Sequence, residues 1–239
     1  MTCAMVLTDI FLGIDCEVIF MVVLEEIEQV RAAFLKYTRA AFLRLPRLEK
    51  PRILDIGCGS GVPAMELAKL SAGEVIGIDI DQSCLDEFNR KIKEEELSDR
   101  VKAINLSLFE MKFPDEAFDV VWSEGVIRNI GFERSLKEWR RLLKQNGYLV
   151  SHYQMSRVAD ALSRIPQHGY SLADTVQLPA DAWWTEFYKP LEEKMGVLLH
   201  KYGNSSDALK LLKQYKSEMD MVKKDPLNFR SAFYIMQKV

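Results

Sequence analysis

Between residues 52 and 153 the chain switches repeatedly between two spacings of its apolar residues. "RILDI" (52–56), "EVIGIDI" (74–80), "VKAINL" (101–106), "FDVVWS" (118–123) and "GYLVSHY" (147–153) are short, nearly continuous apolar runs of strand length. Between them, "VPAMELAKL" (62–70), "SCLDEFNRKIKEEEL" (83–97) and "SLKEWRRLLKQ" (135–145) place apolar residues three or four apart, as a helix does. Strand followed by helix, several times over, implies right-handed crossovers and a parallel sheet covered on both faces. The expected architecture is therefore a doubly wound α/β fold. At 239 residues and 48% hydrophobic, the chain has the apolar mass for one sizeable core, so residues 1–239 read as a single domain.

Sheets of this kind take ligands beyond the carboxyl ends of their strands, where strand order reverses. At the end of the first strand stands "ILDIGCGSG" (53–61), with Asp55 ahead of Gly57, Gly59 and Gly61. Glycines there let the chain turn sharply and leave room for a ligand against the peptide groups. The spacing separates classes of ligand. A dinucleotide fingerprint, G-x-G-x-x-G, needs glycine where this chain has Val62, and no Lys followed by Ser or Thr closes the loop as in a P-loop. Asp79 ends the second strand 20 residues beyond Gly59, where a carboxylate can accept from both hydroxyls of a ribose. A ribose is expected and a pyrophosphate is not.

Charge narrows the partners. A net charge of −3 provides no field to concentrate the chain on nucleic acid, and the lysines of residues 206–224 are interleaved with acids. Four cysteines, Cys3, Cys16, Cys58 and Cys84, show no C-x-x-C pair and no metal-ligand spacing, so neither a metal site nor a disulfide framework is expected. Cytoplasmic location is the matching expectation. "VIFMVVL" (18–24) is too short to cross a bilayer, is preceded by Asp9, Asp15 and Glu17, and reads as a strand or helix start packed on the domain. No membrane partner is expected. From Leu24, the series Ile27, Val30, Phe34, Thr38, Ala41 and Leu45 predicts an amphipathic helix over 24–45.

Taken together, "ILDIGCGSG", "VIGIDID" and "FPDEAFDVVWSEGVIRNIGFERSLKEWRRLLKQNGYLV" (113–150) resemble the class I S-adenosylmethionine-dependent methyltransferases, in their small-molecule branch near the quinone-biosynthesis enzymes. The resemblance covers residues 50–153, and "FYIMQKV" (233–239) looks like the family's final antiparallel strand. It implies a seven-stranded sheet of order 3-2-1-4-5-7-6. It also implies that Asp55, Gly57, Cys58, Gly59 and Gly61 hold the amino-acid part of S-adenosyl-L-methionine, Asp79 the ribose, and Ile80 one face of the adenine. The acid that commonly follows the third strand to meet the adenine amino group is Ser107 here, so Ser107 and Leu108 are the candidates for that contact.

The implied chemistry asks for a nucleophile aligned with an electrophilic methyl group and for the exclusion of water. Glu124, just past the fourth strand, is placed as a base, as a cap, or as a contact to the cofactor's ammonium. His152 ends the fifth strand as a base in the acceptor pocket or as a hydrogen-bonded structural histidine. Arg128 and Asn129 can meet a polar or acidic acceptor, or simply be solvated. His168 and His200 carry no pattern. Residues 155–232 form a long insertion that begins its "DTVQL" as an antiparallel strand and gathers Trp183, Trp184, Phe187 and Tyr188 within six positions. Such a cluster serves as the roof of an acceptor site or as glue between helices and sheet. "SDALKLLKQYKSEMDMVKK" (206–224), capped by Ser206 and Asp207, is a covering helix with Leu209, Leu212, Tyr215, Met219 and Val222 along one face. Three functions share these features: methyl transfer to a small molecule, cofactor binding without turnover by a scaffold or sensor, and, against the evidence of Val62, dinucleotide-dependent oxidoreduction.

Overall fold

The computed structural model describes residues 16–239; Cys3, Asp9 and Asp15 lie outside the described residues. The chain enters through α1 (Cys16–Arg31), tightens into a 3-10 turn over Ala32–Phe34, and continues as α2 (Leu35–Phe42). The helix expected over 24–45 is thus two helices, and "VIFMVVL" lies inside the first of them. Val23, Leu24 and Ile27 are buried at helical spacing, so burial carries the apolar stripe back into a stretch whose sequence looks strand-like.

The core then follows as β1 (Arg52–Ile56), α3 (Val62–Leu70), β2 (Glu74–Asp79), α4 (Gln82–Glu94), β3 (Val101–Asn105) and β4 (Phe118–Glu124). After β4 come the short α5 (Ile127–Ile130), α6 (Phe132–Trp139) and β5 (Leu143–Gln154). The helix expected over 135–145 begins earlier and gives way to strand at Leu143, because Leu142 and Leu143 are both needed in the core and both are fully buried. The remainder is α7 (Met155–Leu162), β6 (Tyr170–Gln177), a π-helical segment over Trp183–Tyr188, α8 (Lys189–Tyr202), α9 (Ser206–Lys224) and β7 (Ser231–Lys238).

The seven strands form one sheet in the order β3-β2-β1-β4-β5-β7-β6, as expected. Strands β1 to β5 pair in parallel, and β7 runs antiparallel to both β5 and β6. Reversal of strand order between β1 and β4 opens the crevice into which the loops after β1, β2 and β4 project. One face of the sheet, through Ile53, Val120, Trp122, Val150 and Phe233, packs on residues of α1 to α4, α8 and α9. The opposite face, through Leu54, Ile56, Val121 and Leu149, packs on α6 and α7. No described helix is long and apolar enough to cross a membrane.

Candidate functional site

The loop after β1 shows why its glycines are there, and the reasons differ. A Cβ on Gly57 would meet Val126 Cβ at 2.7 Å, and one on Gly61 would meet Phe88 Cδ2 at 2.0 Å. Both positions are closed by packing. Gly59, at φ +53°, has no heavy atom within 4 Å of its would-be Cβ, so there the loop faces open space. Four of the loop's N–H groups point inward: Gly57 and Cys58 donate to Ile78 O (2.9 and 3.0 Å), Gly59 to Asp79 Oδ2 (2.9 Å) and Gly61 to Cys58 O (2.9 Å). A ligand against the peptide groups of this loop would therefore not meet these four donors. The Gly57 carbonyl, at the cavity wall, accepts no bond among the described residues.

Below the loop Asp55 is buried, and its Oδ2 has no hydrogen-bond partner. Burial pushes its carboxyl well above the usual range, and the nearby charges of Glu124 and Asp79 push it further. An orphaned acid beside an open glycine loop fits a bound donor such as an ammonium group. Asp79 stands one strand over. Its Oδ2 takes the Gly59 bond and its Oδ1 accepts from Ile80 N (2.7 Å) and Asp81 N (3.0 Å), so the carboxylate ties the β1 and β2 loops together. Asp81 in turn caps α4, accepting from Cys84 N at 3.2 Å.

A cavity of about 790 Å³ opens beside this loop. Toward β2 and β3 its wall includes Asp79, Ile80, Ser107, Leu108 and Phe109. Ile80 is 72% and Phe109 54% exposed, unusual for side chains of that size and suited to holding a flat ring. The Ser107 hydroxyl accepts from Phe109 N at 3.2 Å, a local turn that sets the position of Phe109. Glu124, Arg128 and Asn129 line the cavity from β4 and α5, His152 from β5, and Trp183, Phe187 and Tyr188 from the π-helical segment. Asp55, Cys58, Gly59, Gly61 and Trp184 are not part of that wall. Cys58 is buried, and desolvation followed by the charges of Asp55 and Asp79 pushes its thiol far up, so it packs as a small apolar residue.

Glu124 and His152 are register partners on the parallel strands β4 and β5. Glu124 Oε1 accepts from Trp122 Nε1 (2.8 Å) and Thr38 Oγ1 (2.9 Å). Burial nonetheless raises its carboxyl above the ordinary value, outweighing those two bonds and the charge of Arg31. His152 is 6% exposed, and burial depresses it to about 3, with Arg31 adding to the shift, so it is neutral. Its ring stacks on Phe233 (centroids 4.6 Å apart) and Trp183 (5.9 Å). Its Nε2 lies 2.9 Å from Ser231 Oγ, which also accepts from Trp183 Nε1 at 2.9 Å.

The aromatic cluster divides. Trp183 joins the His152 stack, Phe187 packs edge-on against it, and Tyr188 donates to Glu218 Oε2 at 3.0 Å, all at the cavity. Trp184 instead lies under Lys223, whose Nζ is 5.0 Å from its ring centroid. A π-helical turn admits one extra residue, which rotates neighbouring aromatics onto different faces. Helix α9 covers the core through Leu212, Met219 and Val222 as expected, with Ala208 in place of the expected Leu209, and also contributes Gln214, Tyr215 and Glu218 to the cavity. Its N-cap is Ser205, whose buried Oγ has no partner, rather than Ser206. Sequence reasoning missed Arg31 and the α9 residues at the wall, because helical spacing marks which face is buried and not what that face borders.

Residues 54–151 match a family model described as a methyltransferase domain. Among curated proteins, a sterol 24-C-methyltransferase, ERG6B of Gibberella zeae, is 34% identical over 111 residues, which are 46% of this chain and 29% of that protein. The chain thus spans under a third of that relative's length. Among solved structures, a SAM-dependent methyltransferase from Geobacter sulfurreducens in complex with S-adenosyl-L-homocysteine superposes with a TM-score of 0.70 at 16% identity, covering 85% of this chain and 91% of the other. The [4+2]-cyclase SpnF superposes with a TM-score of 0.69 at 20% identity, covering 85% and 80%.

Proposed function

From a chain that carries a class I S-adenosylmethionine-dependent methyltransferase domain, we propose an enzyme that moves the cofactor's methyl group by in-line displacement to a small-molecule acceptor. The observation that carries the reading is the single cavity whose one end is Asp79, Ile80 and Ser107 and whose other end is Glu124 and His152 beneath an aromatic roof. The cofactor supplies a methyl group already activated on a sulfonium. Gly57 at the wall would receive its ammonium group with the buried Asp55 behind it, Asp79 would hold its ribose, and Ile80, Ser107, Leu108 and Phe109 its adenine.

Glu124 takes the acceptor's proton. A carboxylate whose carboxyl is raised by burial is a stronger base than an exposed one. His152, held neutral, orients the acceptor by hydrogen bonding rather than by taking its proton. Trp183, Phe187 and Tyr188 exclude water and offer flat apolar contact, while Arg128 and Asn129 meet the acceptor at the mouth. The sterol named in the relative above supports an acceptor of small-molecule size. A neighbour of equal likeness that is a cyclase supports keeping a second reading, cofactor binding without methyl transfer. Incubation with tritiated S-adenosylmethionine and fractionated metabolite pools tests both. Label transfer that falls by about 10²-fold or more in Glu124→Gln supports the first reading. Tight binding of S-adenosylhomocysteine with no transfer from any pool supports the second.

A further inference from the structure

We propose that Arg31 is an oxyanion seat inside the cavity, receiving a carboxylate of the bound ligands. Arg31 is the last residue of α1, is half-buried, and lines the cavity beside Gly125, whose would-be Cβ would lie 3.8 Å from Arg31 Nη2. Among the described residues its side chain makes no hydrogen bond and no ion pair. Lys91 is matched with Glu28, Lys194 with Glu26 and Arg39 with Glu66, and the two other arginines at this wall that lack a side-chain partner, Arg128 and Arg157, are exposed where Arg31 is half-buried. A guanidinium has five N–H donors in a planar fork and no way to lose its charge, so leaving it unpaired at a partly desolvated wall costs free energy unless a ligand answers it.

The surrounding groups do not answer it. Arg31 acts electrostatically on Glu124, His152, Tyr188 and Tyr215, all at the cavity, and on Glu28 of its own helix. Glu28 is already paired with Lys91, Glu124 already accepts from Trp122 and Thr38, and Glu218 from Tyr188 and Gln214. The glycine loop, where an anion would otherwise find N–H donors, has turned those of Gly57, Cys58, Gly59 and Gly61 inward. A carboxylate entering this cavity meets Arg31 as its fork-shaped partner. The residue lies outside the matched segment 54–151, so the seat belongs to this chain's N-terminal helix and not to the shared domain. Two ligands bring such a group, the amino-acid arm of the cofactor and an anionic acceptor. The inference rests on the proposed function, the first source on its cofactor binding and the second on its acceptor.

Calorimetry on the full chain separates the sources, using wild type, Arg31→Gln, Arg31→Lys and Arg128→Gln. The probes are S-adenosylhomocysteine, 5′-methylthioadenosine, which lacks the amino-acid arm, and sodium benzoate added with and without S-adenosylhomocysteine. If the cofactor is the source, Arg31→Gln weakens S-adenosylhomocysteine by about tenfold or more and leaves methylthioadenosine unchanged. If the acceptor is the source, Arg31→Gln leaves both nucleosides unchanged and removes benzoate binding. In either case Arg31→Lys, which keeps the charge without the fork, recovers part of the loss. Arg31→Gln binding every probe as wild type does overturns the seat, and so does an equal loss of S-adenosylhomocysteine affinity in Arg128→Gln, which would mean a diffuse positive field. Wild type that binds neither nucleoside defeats the methyl-transfer reading, and benzoate alone then judges Arg31; no benzoate binding either would overturn the seat as well.

Discussion

Substituting alanine in turn for Gly57, Gly59 and Gly61 separates the glycine that faces open space from those whose missing side chain makes room for protein. At Gly61 the new methyl would stand 2.0 Å from Phe88 Cδ2 and 2.4 Å from two more atoms of the same ring. Phe88 is fully buried on α4, so the ring cannot swing out to make room. Overpacking of this kind costs about 1–3 kcal/mol, and a left-handed backbone adds roughly 1–2 kcal/mol for any residue with a Cβ. The sum is a large part of a typical folding stability of about 5–15 kcal/mol. Gly57→Ala lies between, since its obstacle, Val126, is a half-buried side chain on the loop after β4. Gly59→Ala meets nothing and carries the backbone term alone. At about 2–4 °C per kcal/mol for a chain of this size, its melting temperature should fall by about 2–8 °C, while Gly61→Ala falls by roughly twice that or fails to accumulate. Affinity should show the opposite order of interest: folded Gly59→Ala is expected to lose about tenfold or more in S-adenosylhomocysteine binding, because its methyl enters the open space at the loop. Differential scanning fluorimetry and calorimetry on the three proteins read both effects. Wild-type affinity in Gly59→Ala would refute the assignment of that space to the ligand, and equal stability of Gly59→Ala and Gly61→Ala would refute the packing argument.

Asp79→Ala should weaken S-adenosylhomocysteine by about 1.5–3 kcal/mol, the range for hydrogen bonds to a charged group, and should also lower the melting temperature because three backbone N–H groups lose their acceptor; unchanged calorimetric affinity would remove Asp79 from the ribose site. Trp184→Ala should reduce stability while the remaining folded protein binds and turns over normally, whereas Trp183→Phe, which deletes the donor to Ser231 Oγ and part of the ring but keeps an aromatic, should change turnover more than melting temperature; the reverse pattern would exchange roof and glue. Because His152 is held at about 3 when folded and returns to about 6.5 when unfolded, the unfolded chain binds the extra proton between those values, so this residue costs nothing above about pH 6.5 and destabilises the fold increasingly below it. The cost is about 2 kcal/mol at pH 5, and the acid-side fall in melting temperature should be shallower by that amount in His152→Gln; identical pH profiles would show that the imidazole is not desolvated.

The alternation of strand and helix runs, the glycine loop behind "ILDI" and the acid ending the second strand were all readable in one dimension, because parallel α/β folding repeats a local period and binds ligands at strand ends. The strand order 3-2-1-4-5-7-6 entered through the resemblance and is the order the sheet adopts. Local period also left a choice open: "VIFMVVL" reads as a strand or a helix start, and helix–helix packing of α1 on α8 and α9 makes it helix. Tertiary structure alone decided which glycine is open, since that depends on where Phe88 and Val126 fall, 27 and 69 positions away from Gly61 and Gly57. It decided that four of the loop's N–H groups face inward, that Glu124 and His152 stand side by side, and that Trp183 and Trp184 part company. It brought Arg31, on a helix that precedes the glycine loop, to the same wall as Tyr188 and Tyr215 from the insertion near the other end of the chain. Sequence spacing records which residues are buried on one element; a binding site is a junction between elements, and its membership is set by packing across distances that no local period encodes.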